Sequence, residues 1–222
     1  MINTLDEYIC CSIPADKPFT TNPNLIKKVD QNGSFLEFIG NTVVFLLDDN
    51  TKIQLSYLQE ELYDAAGDLL SARLIPDTFH MTLHDLVNGS AEDCEISQRM
   101  KLIRPRILDL LQDWKNDPPI RMKTTWMFNM VNTSIVLGLR PADVDSYNRL
   151  NEMYERLEEE LRLGYAMTPH ITLAYFKPGV YGCEVISKLA AALRPVAMDV
   201  LLRIDQLVLQ NFTDMNHYYT VF

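Results

Sequence analysis

The spacing of hydrophobic and polar positions predicts that strands and helices alternate along the chain. Apolar residues recur every three or four positions where a helix is expected, whereas strict alternation or a short β-branched run indicates a strand. Pro105 should kink or split its helix, because proline cannot donate the helical hydrogen bond. In chain order the predicted elements are a strand at 42–47, helices at 56–67 and 96–114, strands at 120–128 and 135–139 with a hairpin turn at 131–133, helices at 141–164 and 185–193, and strands at 200–204, 207–209 and 218–222.

Two further predicted strands carry the same short unit, His-x-Thr-Leu, at 80–83 and again at 170–173. Because side chains alternate along a strand, the His and Thr of each unit should face one way and its apolar residues the other. Each unit follows one predicted helix and precedes another. This order predicts an α+β architecture with two pseudo-equivalent lobes that face each other.

The first 33 residues differ from the rest of the chain. They contain Pro14, Pro18, Pro23 and Gly33 among polar residues, which predicts an irregular arm lying over the surface. No low-complexity segment separates the two similar halves that follow, so residues 1–222 are expected to form a single bilobal domain.

Composition and charge limit the kinds of molecule that the protein is expected to bind. The 222 residues are 47% hydrophobic and 23% charged, an ordinary globular balance, and carry a formal net charge of -10. That charge disfavours binding to long nucleic acid, which depends on phosphate attraction, and favours a small phosphorylated or nucleotide substrate. No feature of the sequence indicates an oligomeric state.

The cysteines and the chain start predict a cytoplasmic protein. Cys10, Cys11, Cys94 and Cys183 form no C-x-x-C pair, so neither a disulfide framework nor a zinc ribbon is expected. The first residues lack the positive and apolar regions of a signal peptide, and no later stretch is long enough to span a membrane.

The repeated unit contains the groups needed to cleave a phosphate ester with water. One imidazole can take a proton from the nucleophile while a second protonates the leaving oxygen, because the ordinary histidine pKa lies near ~6.5. Each Thr hydroxyl, about 6 to 7 Å along the same strand face, can donate a hydrogen bond to a phosphate oxygen. This chemistry requires no metal or other cofactor. His80, Thr82, His170 and Thr172 are therefore the candidate catalytic residues.

Two other groups have competing interpretations. His84 should share the face of His80 and Thr82, which makes it either a substrate contact at the rim or a structural histidine. On a strand His84 lies about 13 Å from His80, too far for both to bind one metal ion. The acidic run 158–160 is interpreted as a solvated helix face rather than a metal site.

The paired units at 80–83 and 170–173 resemble the signature of the two-histidine (2H) phosphoesterase superfamily. The resemblance covers roughly residues 40–222 and implies two pseudo-symmetric lobes, each an antiparallel sheet flanked by helices, with both motifs lining a central cleft. It implies that His80 and His170 act as acid and base, that Thr82 and Thr172 bind phosphate, and that no metal takes part. The superfamily includes RNA 2′,5′-ligase-like proteins and enzymes acting on 2′,3′-cyclic phosphates, ADP-ribose cyclic phosphate or cyclic dinucleotides.

The chain departs from the ligase-like members after the second motif, where they often have Arg and this chain has Tyr175. In a regular strand Tyr175 projects from the face opposite His170, so packing is its simplest role. Lys177, Arg121 and Lys123 are candidates for positive charge near the cleft, with solvated surface as the alternative. His84, Tyr175 and Lys177 complete the set of candidate substrate-binding residues.

The sequence thus predicts a metal-independent phosphodiesterase that hydrolyses a small cyclic phosphate or nucleotide. Two alternatives stay open. One is a non-catalytic nucleotide-binding or sensor module, and the other is an RNA 2′,5′-ligase that processes short RNA ends.

Overall fold

The computed structural model describes residues 18–221, in which helices and strands alternate as the hydrophobic pattern predicts. The helices are α1 (Asp49–Ala66), α2 (Cys94–Trp114), α3 (Val144–Glu160) and α4 (Cys183–Ala192). The strands are β1 (Phe19–Thr20), β2 (Ile39–Leu46), β3 (His80–Gly89), β4 (Ile120–Met130), β5 (Ser134–Pro141), β6 (His170–Tyr175), β7 (Val180–Tyr181), β8 (Asp199–Leu202), β9 (Leu207–Asp214) and β10 (His217–Thr220).

Eight of the strands form one antiparallel sheet with the order β10-β9-β2-β3-β6-β5-β4-β8. The two motif strands, β3 and β6, are neighbours at its centre and meet through a single residue pair, Met81 opposite Ile171. Each is paired along most of its length with its other neighbour, β2 or β5. The sheet therefore divides into two four-stranded halves, each with a motif strand innermost. The predicted α+β fold with two similar lobes is confirmed.

The core lies where the alternation of the motifs predicts it. Met81, Leu83, Ile171 and Leu173 are all buried, and they belong to one large apolar cluster. Helices α1, α2 and α3 pack against the sheet, and α1 also packs against α4. Within residues 18–221 no helix combines the length and apolar character needed to cross a bilayer.

Two helix starts differ from the hydrophobic pattern, each because of a capping hydrogen bond, and one helix continues through a proline. Helix α1 begins at Asp49 rather than near residue 56, because the Asp48 side chain accepts a hydrogen bond from the Thr51 amide. Helix α2 runs through Pro105 without being split. Pro141 ends β5, and α3 starts later because Asp143 caps it through the Ser146 amide.

The described part of the predicted arm contributes to the core rather than only covering the surface. Residues 18–33 include β1, which pairs with β7, and a 3-10 turn at Pro23–Lys27. The side chains of Phe19, Leu25 and Val29 are buried in the main apolar cluster. Residues 1–17, with Cys10 and Cys11, lie outside the described residues.

Candidate active site

A cleft of about 450 Å³ lies over the junction of the two motif strands. That volume is within the range typical of sites for nucleotide-sized ligands. All four candidate catalytic side chains line it. We refer to these four residues as the quartet: His80, Thr82, His170 and Thr172.

The register between β3 and β6 arranges the quartet as two crossed diagonals. Because the strands are antiparallel and Met81 is opposite Ile171, His80 is opposite Thr172 and Thr82 is opposite His170. Diagonal neighbours in such a pair have Cα atoms about 7 to 8 Å apart. The two imidazoles therefore lie on one diagonal and the two hydroxyls on the other, at a spacing that one phosphate group can bridge.

Each imidazole is held by a backbone carbonyl two residues upstream. His80 Nδ1 lies 2.7 Å from the Thr78 carbonyl oxygen, and His170 Nδ1 lies 2.6 Å from the Thr168 carbonyl oxygen. A carbonyl only accepts hydrogen bonds, so each Nδ1 carries the proton of the neutral ring. Within residues 18–221 neither Nε2 has a hydrogen-bond partner. Both rings are thus fixed in the tautomer that leaves Nε2 available for proton transfer.

Burial keeps both imidazoles neutral in the free protein. It lowers the pKa of His80 to about 4, against a weaker rise caused by the Thr78 carbonyl and the carboxylate of Asp85. Burial also lowers the pKa of His170, and again the carbonyl and Asp85 oppose it. Loss of water around the rings therefore outweighs the attraction of the nearby carboxylate.

Each motif strand contains a bulge directly after the motif threonine. Leu83 and Leu173 are extra residues, because their neighbours on either side pair with consecutive residues of the adjacent strand. The pairs are Val44–Thr82 and Val43–His84 in one half, and Val136–Thr172 and Ile135–Ala174 in the other. The two bulges occupy the same place in the repeat, so the pseudo-symmetry of the halves extends to this irregularity.

The bulges change which residues face the cleft. A bulge shifts the alternation by one position, so Asp85 and Tyr175, each five residues after a motif histidine, return to the cleft face. The expectation that Tyr175 points away from His170 was therefore wrong. The candidate substrate contact Tyr175 does line the cleft, and burial raises the pKa of its hydroxyl.

The same shift turns His84 away from the face of His80 and Thr82 in the strand pairing, although His84 still lines the cleft at its edge. The His84 side chain is fully buried, and its Nε2 lies 3.1 Å from Oε1 of Glu158. Burial lowers the pKa of His84, so the neutral ring donates from Nε2 to the carboxylate. Glu158 is accordingly not part of a solvated face. The contact with Glu158 fits the structural interpretation of His84, and a substrate contact by this residue stays a prediction.

The three basic residues that were candidates for positive charge near the cleft lie away from the quartet. Lys177 is absent from the cleft lining among the described residues, and its side chain packs beside Gly33, whose positive φ and close approach leave no room for a Cβ. Arg121 is exposed and pairs with Asp143. Neither residue brings a cation to the quartet, and Lys123 is exposed on β4 as well.

The structure brings in a cation that the sequence pattern did not single out, Lys28 from the arm. Its side chain lines the cleft, and Nζ lies 5.0 Å from the ring centroid of Phe38 and 5.9 Å from that of Tyr175. Lys28 precedes the quartet by more than 50 residues in a segment without periodicity. Leu25 and Val29, which lie near it in the chain, are buried in the structure. No local pattern in the sequence predicts where the Lys28 side chain lies.

Aromatic rings cover much of the remaining wall. Tyr218 of β10 packs with its ring centroid 5.1 Å from that of His80, in an edge-on arrangement. Phe212 lies 5.4 Å from Tyr218 and stacks at 6.1 Å on Phe38. Such faces are suited to a flat apolar group such as a nucleobase.

The side chains of the site are not arranged as metal ligands. Among residues 18–221 no group of three His, Cys, Asp or Glu side chains is positioned to hold a metal ion. The polar groups that line the cleft are imidazoles, hydroxyls, the carboxamide of Asn88, one carboxylate and one ammonium group.

By sequence the chain has no match among family models, and no curated protein sequence matches it. By structure it is similar to the conserved protein of unknown function ATU0111 from Agrobacterium tumefaciens, with TM-score 0.64, 19% identity and coverage of 99% of this chain and 98% of that one. It is also similar to TT0787 of Thermus thermophilus, with TM-score 0.54, 15% identity and coverage of 82% and 94%.

A third similar structure is that of Escherichia coli LigT with 3′-AMP, with TM-score 0.51, 15% identity and coverage of 84% of this chain and 97% of that one. The chain has a LigT-like fold. LigT is a 2H phosphoesterase, so the resemblance suggested by the two motifs is supported at the level of the fold.

Proposed function

We propose that the protein is a phosphodiesterase of the 2H kind that hydrolyses a small cyclic phosphate, such as a 2′,3′-cyclic nucleotide, with His80 and His170 as acid and base. The observation that carries this proposal is the crossed quartet. Two imidazoles with available Nε2 atoms face each other on one diagonal, and two hydroxyls occupy the other. A binding site alone has no need of two proton-transfer groups.

The quartet can supply every proton movement of the hydrolysis. One histidine takes a proton from water as the water oxygen bonds to phosphorus, and the other gives a proton to the ribose oxygen as its bond to phosphorus breaks. Thr82 and Thr172 donate hydrogen bonds to the non-bridging oxygens and stabilise their growing charge. The ring opens to a phosphomonoester, and solvent restores the starting protonation of both histidines.

Substrate binding has to supply the protonated histidine, because burial lowers the pKa of both rings in the free protein. A phosphodiester carries a negative charge. Placed between the rings, it raises the pKa of each and favours one imidazolium, as any opposite charge within a few ångströms does. The active protonation state is then formed mainly in the complex, with no step assigned to a metal.

Three further observations support a small nucleotide as substrate. The cleft volume of about 450 Å³ suits a mononucleotide or dinucleotide, and its aromatic wall suits a base. The net charge of -10 disfavours long nucleic acid. The similar LigT structure contains 3′-AMP, a nucleotide with phosphate on the ribose. We assign Tyr175 to substrate binding, and we propose that both halves of the chain form one domain around the cleft.

The test is hydrolysis by His80→Ala and His170→Ala on a panel of 2′,3′-cyclic nucleotides, ADP-ribose cyclic phosphate, cyclic dinucleotides and short RNA ends. Loss of either proton-transfer group should lower kcat by about 100-fold to 10,000-fold or more. His217→Ala is the matched control, because His217 is exposed and paired with Asp214. Circular dichroism checks that each variant is folded.

The outcomes separate the proposal from its alternatives. Turnover equal to that of the natural protein in either motif variant would contradict the assignment. Tight nucleotide binding by the natural protein without turnover would indicate a binding module. Formation of a 2′,5′ linkage from RNA ends would indicate the ligase. Analysis of which ribose oxygen keeps the phosphate identifies the leaving group.

A further inference from the structure

Lys28 is held in the cleft by a firmly anchored part of the arm. Thr21 exchanges hydrogen bonds with Gly179 through both its amide and its hydroxyl, and the Asn22 amide donates to the Asn132 carbonyl at 2.8 Å. These contacts connect the arm to the second half of the chain, more than 100 residues away. They fix the position from which Lys28 reaches the cleft.

The backbone of Lys28 is fixed as well. The Leu36 amide donates to the Lys28 carbonyl at 2.9 Å, and the adjacent Val29 is buried and forms a bridge with Phe35. The Asp30 side chain accepts hydrogen bonds from the Asn32 and Ser34 amides and so closes the turn between Val29 and Phe35. The lysine is therefore presented by an ordered loop, and little conformational entropy is lost when it binds a ligand.

The ammonium group of Lys28 has rings rather than a carboxylate around it. Nζ lies near the faces of Phe38 and Tyr175, and within residues 18–221 no carboxylate forms an ion pair with it. Burial lowers its pKa, with the more distant Asp85 opposing this effect. A partly desolvated cation without a close counter-charge binds an anion more strongly than an exposed lysine does.

The position of Lys28 separates it from the quartet. Its neighbour Tyr175 is three residues beyond Thr172, a distance of about 7 to 10 Å along the bulged strand. We therefore expect a phosphate held between the quartet residues to lie beside the ammonium group rather than in contact with it. A second anionic group on the same ligand would reach Lys28, between the two rings.

We infer that Lys28 binds a second phosphate of the substrate, so that the preferred substrate is a nucleotide bearing another phosphate in addition to the cyclic one. This inference rests on the proposed function of the quartet. It makes Lys28 a specificity-determining residue, because nucleotides with a free 5′-hydroxyl offer nothing to the ammonium group. The aromatic rings exclude water from this contact and increase its contribution to discrimination.

The first experiment compares kcat/KM for adenosine 2′,3′-cyclic phosphate with and without a 5′-phosphate. The natural protein should prefer the 5′-phosphorylated substrate by about tenfold to a hundredfold, the usual effect of one charge-assisted hydrogen bond. Lys28→Gln should lose that preference, so that its kcat/KM values for the two substrates become similar. Lys28→Arg should retain part of it. Lys27→Gln is the matched control, because Lys27 is adjacent and exposed.

An equal loss on both substrates in Lys28→Gln would overturn the inference, since it would place the lysine at the reacting phosphate or in the folding of the arm. No loss on either substrate would also overturn it. The deciding quantity is the ratio of kcat/KM between the two substrates. A general loss of stability does not change this ratio.

A second experiment needs no turnover and so separates this inference from the proposed function. Calorimetry should show that the natural protein binds adenosine 3′,5′-bisphosphate about tenfold more tightly than adenosine 3′-phosphate, and that Lys28→Gln binds both equally. If no cyclic phosphate is hydrolysed but this difference is found, the catalytic proposal fails and the Lys28 site stands. Equal affinities in the natural protein, or no binding of either nucleotide, overturn the Lys28 site.

Discussion

His84 donates a hydrogen bond from Nε2 to Oε1 of Glu158 at 3.1 Å, which connects the first motif strand to the last turn of α3. Glu158 also accepts hydrogen bonds from the amides of Leu163 and Gly164, at 2.9 and 3.3 Å. These residues begin the segment that leads to His170. A single carboxylate thus joins the first motif to the approach of the second.

Replacement of Glu158 by Ala should lower the free energy of unfolding by about 1 to 3 kcal/mol, because it leaves the buried His84 Nε2 and two backbone amides without their acceptor. Urea denaturation measures the change. Glu159→Ala is the matched control, since Glu159 lies in the same helical turn and is exposed. An equal effect of the two substitutions would contradict the structural role given to Glu158.

The difference between these two variants should depend on pH in a defined direction. Hydrogen bonds from the two amides and His84 hold the pKa of Glu158 below its ordinary value of 4.5, although burial acts the other way. A carboxyl group whose pKa is depressed in the folded protein contributes stability at pH values above its ordinary pKa. That contribution disappears as the pH falls through the pKa of the group in the folded protein. The two variants should therefore become more alike below pH 4.5.

We expect the Tyr218 ring to affect the protonation of His80, because the ring helps to exclude water from the imidazole. Burial is the largest cause of the low His80 pKa of about 4, and the Tyr218 ring, 5.1 Å away, provides part of that burial. Tyr218→Ala should let water reach the imidazole and raise its pKa toward the ordinary 6.5. An NMR titration of the histidine ring protons measures this pKa directly.

The neighbouring Tyr219 provides the control for that titration, because its side chain is exposed. Tyr219→Ala should leave the His80 titration unchanged. A His80 pKa that stays near 4 in Tyr218→Ala would show that the ring contributes nothing to the desolvation.

The sequence allowed the centre of the site to be predicted, because the relevant information there is local. Alternation alone places His80 and Thr82 on one face of a strand and Met81 on the other, and the structure has this arrangement in both halves. The hairpin predicted at 131–133 is also present, with positive φ values at Val131 and Asn132 that fit the turn.

Features that depend on a partner strand or a distant contact could not be predicted in this way. The bulges at Leu83 and Leu173 exist only relative to β2 and β5, so a prediction with period two assigns the wrong face to residues that follow them, such as Asp85 and Tyr175. The entry of Lys28 into the cleft depends on contacts such as that between Thr21 and Gly179, far apart in the chain. Both errors fall on candidate substrate-binding residues, which lie beyond the repeated unit.

Asp85 provides the last test, because it is the carboxylate that the first bulge turns toward the cleft. Its charge raises the pKa of both His80 and His170 and opposes the effect of burial. Asp85→Asn removes that charge, so both pKa values should fall. Activity requires one neutral and one protonated imidazole, and both limbs of the bell-shaped kcat/KM profile should move to lower pH by roughly half a unit to one unit.

The direction of this shift distinguishes an electrostatic role of Asp85 from a structural one. Loss of a binding contact or of stability would lower the whole profile without moving it, whereas loss of charge moves both limbs together. Asp109→Asn is the control, because it removes the same charge from an exposed position on α2 and should leave the profile in place. Raising the ionic strength should shrink the shift in Asp85→Asn, since Asp85 is exposed and its charge is screened by salt. A displacement of the profile to higher pH would mean that Asp85 does not stabilise the imidazolium, and acid-base catalysis by the quartet would then have to work without it.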